Sequence, residues 1–66
     1  MRNNDIKKSR ARYELEEMKA ILDRIEMRID EDDTCWAILG VNTLKQETEK
    51  FMGALMDWHK AEVEES

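Results

Sequence analysis

Apolar residues recur along the first half of this chain at alternating four- and three-residue steps: Ala11, Leu15, Met18, Leu22, Ile25 and Ile29. That spacing keeps one side of a helix apolar and is the pattern of a helix meeting a second helix. Another file, Ile6, Tyr13, Ala20 and Met27, advances by strict seven-residue steps. At about 100° per residue it falls on roughly the opposite side. One helix with two apolar files predicts two neighbours. The periodicity holds from residue 5 to residue 30, and about 25 residues rising 1.5 Å each make a rod near 37 Å long. Asn3, Asn4 or Asp5 can cap its start by accepting a backbone N–H.

Residues 30–33 are four adjacent acids, Asp30, Glu31, Asp32 and Asp33. A calcium loop starting at Asp30 would need glycine at its sixth position and glutamate at its twelfth. Cys35 and Val41 stand there instead. The run reads as a turn in which Asp32, Asp33 or Thr34 caps the next helix, where negative charge suits the helix N-terminus. Residues 35–41, Cys-Trp-Ala-Ile-Leu-Gly-Val, are one continuous apolar stretch, but no second strand exists to pair with it. A helix from residue 34 to about 63 instead aligns Ala37, Val41, Leu44, Thr48, Phe51, Leu55 and Trp58 in a seam flanked by Ile38, Met52, Met56 and Val63. Trp36 and Leu39 fall outside that seam. Two accounts of them stay open: they form a second contact surface, or the helix breaks near Gly40–Asn42 and restarts at a Thr43/Gln46 capping box.

Two segments of similar length joined by a short acidic connector predict an all-α fold, an antiparallel helical hairpin occupying residues 1–66 as a single domain. A hairpin hides one side of each helix, so the remaining apolar files predict a further partner: dimerisation into a four-helix bundle hides them, a different protein hides them equally well, and the sequence does not choose between the two. Composition supports this. The chain has no proline and two glycines, Gly40 and Gly53, too little turn chemistry for repeated β-hairpins. Sixty-six residues bury only about 60% of the surface of the unfolded chain. The one cysteine, Cys35, cannot close an intrachain disulfide, which leaves association as the source of stability. Neither a secretory leader nor an apolar run near 18 residues is visible, so the expectation is a cytoplasmic protein with no membrane contact.

Charge is uneven. Residues 1–12 hold Arg2, Lys7, Lys8, Arg10 and Arg12 against Asp5, a net +4 in a chain of net charge −5. A basic arm of this kind can contact nucleic acid through Lys7, Lys8, Arg10 and Arg12. Helical geometry nevertheless turns those cations around most of the circumference, whereas a phosphate-tracking surface needs them clustered.

Catalytic groups do not assemble in the same way. His59 is the one histidine, placed by its helical angle at the edge of the second seam with Leu55 and Trp58. Glu62 and Asp57 are near it in sequence, but no activated nucleophile accompanies them. Glu14 with Glu17, and Asp23 with Glu26, are carboxylate pairs one turn apart. No third cluster converges on either pair, and the Glu-x-x-His of di-iron bundles is missing from the chain. No catalytic, cofactor-binding or metal-binding residue is therefore expected, and the chain does not read as an enzyme.

What remains is adaptable apolar surface. Met27, Met52 and Met56 with Trp36 are residue types that repack against partners and anchor interfaces. Together with Ile6, Tyr13, Ala20 and Leu39 they form the expected interface. The expected function is a small non-enzymatic protein–protein interaction module, a regulator, inhibitor or chaperone-like adaptor that is a homodimer and binds another protein. The alternative is a small dimeric nucleic-acid-binding regulator that uses the basic arm.

Overall fold

The structure, a computed structural model, describes residues 3–65. Met1, Arg2 of the basic arm, Ser66 and the side chain of the candidate cap Asn3 lie outside the described residues. Helix α1 spans Asn3–Asp30 and helix α2 spans Thr34–Glu65. They pack against each other as an antiparallel hairpin 49 Å long, 17 Å wide and 12 Å deep. The length is that of a 32-residue α2 rising about 1.5 Å per residue.

The turn is built by hydrogen bonds that both end α1 and begin α2. Asp33 N–H donates to Arg28 C=O at 2.8 Å and Asp32 N–H to Ile29 C=O at 3.0 Å. This nested pair consumes carbonyls left open by the last turn of a helix. The geometry forces Asp32 into the left-handed region, with φ 59°. Asp33 then caps α2, its Oδ1 accepting the Trp36 N–H at 3.2 Å. Arg28 ties the turn from outside, 3.4 Å from Glu31 and 3.8 Å from Asp33, with its guanidinium 5.6 Å from the centre of the Trp36 ring. Three of the four acids thus have structural duties in this turn.

Helix α2 is continuous through Gly40, so the break near Gly40–Asn42 does not occur. Thr43 is no cap: its hydroxyl donates to the Leu39 carbonyl at 3.2 Å, inside the helix. Glycine stands at position 40 for a different reason. A Cβ there would lie 2.7 Å from Ile25 Cγ1, because the two helices approach closely at that point.

The seam between the helices differs from the stripes of largest apolar residues in a regular way. Ala11, Met18 and Ile25 on α1, and Ala37, Leu44, Phe51 and Trp58 on α2, face the partner helix as their spacing predicts. The other half of each stripe is displaced by one residue. Glu14 and Ile21 take the places expected for Leu15 and Leu22, and Gly40, Glu47 and Ala54 those expected for Val41, Thr48 and Leu55. Ile21 is 7% exposed while Leu22 is 49% and Ile29 61% exposed. The displacement equals a turn of each helix by about 50° about its own axis. Small residues drive it: the buried apolar side chains among the described residues are Ala11, Ile21, Ala54 and Ala61, and alanine or glycine at the contact lets two helix backbones come close. Larger neighbours such as Leu15 and Leu55 then flank the seam half-buried.

Polar groups share the seam. Asn4 is buried near the open end, and its Nδ2 donates to Glu62 Oε1 at 2.9 Å. The Trp58 Nε1–H donates to that same oxygen at 3.1 Å. A carboxylate accepting from both helices clamps the open end as Arg28 clamps the turn.

Candidate interaction surfaces

Because the seam is thin, each broad face of the hairpin carries side chains from both helices. Going round α1 from the seam, one direction meets Lys8, Leu15, Leu22 and Ile29, and the other meets Arg10, Glu17 and Arg24. The row of α1 beside the seam is therefore apolar on one face of the hairpin, the apolar face, and ionic on the other, the ionic face.

On the apolar face, Lys8, Ala11, Arg12 and Leu15 of α1 and Phe51, Leu55 and Trp58 of α2 line a shallow groove of about 150 Å³ near the open end. The groove continues toward the turn along two files. Leu22 and Ile29 follow Leu15 on α1, and Val41 lies in the file of Leu55 on α2, with Ile38 and Met52 beside it. Leu22, Ile29, Ile38, Val41 and Met52 are all exposed.

The ionic face has a larger groove, about 450 Å³, beside the turn. Ile25 and Gly40 lie at its floor on the seam, and Met27, Trp36, Leu39, Arg24 and Arg28 are among its walls. Farther along, Glu47 is 9% exposed in the seam. Its hydrogen bond to Glu14, its burial and the Glu14 charge hold the Glu47 carboxyl above its usual 4.5, with Lys50 opposing and Glu17 adding to the rise. Two carboxyls can share a hydrogen bond only when one keeps its proton, and Glu47 Oε2 has no partner. On the same flank the Glu17 carboxylate, through its charge and as acceptor for the hydroxyl, raises the Tyr13 phenol above 10.0.

The eight expected interface residues do not form one surface. Ile6, Tyr13, Ala20 and Met27 make an exposed file along the outer edge of the ionic face. At its turn end Met27 meets Trp36 and Leu39 in the large groove. Met52 and Met56 lie on the other flank of α2, where Met56 shares a depression with Leu55 and His59. His59 is exposed rather than tucked at the seam edge. Cys35 is exposed at the opposite end of α2, roughly 36 Å away at 1.5 Å per residue.

The basic residues separate as well. Lys7 lines a groove with Asp57, Lys60, Ala61 and Glu64, while Lys8 and Arg12 border the apolar groove on the other face. Lys19 pairs with Glu16 at 3.3 Å instead of with Asp23, the i,i+4 partner its spacing offers. Among the described residues no group of three or more His, Cys, Asp or Glu is placed to hold a metal ion, and no helix is long and apolar enough to cross a membrane.

Sequence reasoning missed Glu47. Its signal was present: it stands three residues after Leu44 and four before Phe51, the spacing of a seam position. Its charge argued against placing it there.

No protein-family model, curated protein or solved structure matches the chain. The fold and its two faces define an antiparallel helical hairpin.

Proposed function

We propose that this chain is a small non-enzymatic protein–protein interaction module, a regulator, inhibitor or chaperone-like adaptor. It works as a homodimer in the cytoplasm and binds another protein through its exposed helix faces. One observation carries the reading: Ala11, Ala54, Ala61, Asn4 and Glu47 take up much of the buried seam while most of the large apolar side chains, Leu22, Ile29, Ile38, Val41 and Met52 among them, stay exposed. Soluble monomers rarely leave contiguous apolar patches beyond a few hundred Å² uncovered. An exposed, unpaired Cys35 suits a reducing compartment. Sedimentation equilibrium at micromolar concentration tests the reading. A mass of twice 7.9 kDa supports it, and a stable, fully helical monomer overturns the dimer.

The nucleic-acid alternative draws on the basic arm, but Lys7 faces one broad side and Lys8 with Arg12 the other. It predicts RNA or DNA binding that weakens steeply with salt and vanishes when Lys7, Lys8, Arg10 and Arg12 are neutralised. Fluorescence anisotropy at low salt reads this directly, and no binding there removes the alternative.

A further inference from the structure

We propose that the face carrying Leu15, Leu22, Ile29, Val41, Met52 and Leu55 is the docking surface for a second copy of this chain, closing two hairpins into a four-helix bundle. The proposal rests on the dimeric reading above and adds which face is used.

Continuity comes first. The Leu15, Leu22 and Ile29 file directly borders the seam, so it merges with the Val41 and Leu55 file of α2 into one surface spanning both helices, with Leu15, Phe51, Leu55 and Trp58 already lining one groove. The file of Ile6, Tyr13, Ala20 and Met27 joins α2 at its turn end, where Met27 shares a groove with Trp36 and Leu39, but not along its length. Arg10, Glu17 and Arg24 stand between it and the seam, and covering it would bury that charged row.

Size is the second argument. One face of a rod 49 Å long and 17 Å wide offers about 800 Å² per protomer, the extent of a standard stable interface. Charge is the third. The residues bordering this face are Lys8, Arg12, Lys19 and Lys45 against Asp5, Asp23, Glu26, Asp30 and Glu62, four cations against five acids, which nearly cancel. Most of the excess acid of a chain of net charge −5 sits elsewhere, part of it in residues 31–33. A copy of the same face therefore meets little like-charge repulsion, and a two-fold interface requires that self-complementarity.

Cross-linking tests the face without disturbing its packing. Thr48 is exposed midway along α2, in the file of Val41 and Leu55, and its hydroxyl only bonds the Leu44 carbonyl of its own helix. A residue at mid-length on a two-fold face lies near its own counterpart, whichever way the two rods point. Ala20 is exposed at a similar height on the other face. Thr48→Cys and Ala20→Cys are each made in a Cys35→Ser background, and their masses are measured by sedimentation equilibrium. Each is then treated with a short bifunctional maleimide. Thr48→Cys is expected to form covalent dimer about tenfold faster or more, because the interface holds its two thiols at high effective concentration. Equal or faster cross-linking of Ala20→Cys, or no cross-linking of a dimeric Thr48→Cys, overturns the face and leaves the dimer standing. A monomeric wild-type chain overturns both.

Discussion

Gly40 and Gly53 stand on the same helix, yet alanine has opposite consequences at the two positions. Nothing lies within 4 Å of a Cβ built on Gly53, so Gly53→Ala removes the entropic penalty of a helical glycine and should stabilise by about 0.5–1 kcal/mol. At Gly40 the new methyl would meet Ile25 Cγ1 at 2.7 Å. That atom is the inner branch of a half-buried side chain, so the helices must part. Overpacking of this kind takes roughly 1–3 kcal/mol, and Gly40→Ala should be net destabilising in chemical denaturation.

Glu47 supplies a second residue-level test. Its carboxyl is held above 4.5 in the folded chain by the hydrogen bond and charge of Glu14 and by burial. The folded state therefore binds this proton more tightly than the unfolded state does. The resulting stability is complete below about 4.5 and is lost as pH rises through the raised value. Glu47→Gln should stabilise the hairpin at neutral pH and flatten the rise in stability of the wild type on mild acidification, read as Tm against pH for the two proteins. Unchanged profiles would remove Glu47 from the account.

At the scale of elements, the turn is held by Asp32 and Asp33 in different ways. Asp32 adopts φ 59°, a conformation that is unfavourable for a residue with a Cβ and that glycine adopts freely. Asp32→Gly should therefore stabilise by about 1 kcal/mol. Asp33→Ala removes the cap on the Trp36 N–H and should destabilise by about 1 kcal/mol. Helix content at fixed temperature and denaturation midpoints separate the two. The continuity of α2 is an element-scale lesson: glycine followed three residues later by a Ser/Thr-x-x-Glu/Gln string resembles a helix end and a new start. Here packing against Ile25 overrides that local signal, because the close approach of α1 requires glycine while the helix runs on.

The whole molecule is a rod that leaves many of its large apolar side chains, Leu22, Ile29, Ile38 and Val41 among them, on its outside. Stability should accordingly depend on concentration, since association stabilises by mass action. Tm should fall on tenfold dilution, and Leu22→Glu combined with Ile29→Glu should abolish association, as judged by sedimentation. Tyr13→Glu with Met27→Glu should leave the dimer intact, because those residues lie on the ionic side.

The heptad spacing by itself determined two helices, their antiparallel return through an acidic turn, and an excess of apolar surface beyond one seam. Those features follow from local periodicity and capping chemistry, which each stretch of sequence carries on its own. Tertiary structure decided the rotation of each helix about its axis. Periodicity locates an apolar arc roughly 100° wide, and within that arc it favours the largest residues, Leu15, Leu22 and Ile29. Close approach favours the smallest instead. Ala11, Gly40, Ala54 and Ala61 take the seam because backbones can meet there, and turning both helices toward them carries Glu14 and Glu47 inward and the leucine file out toward the surface.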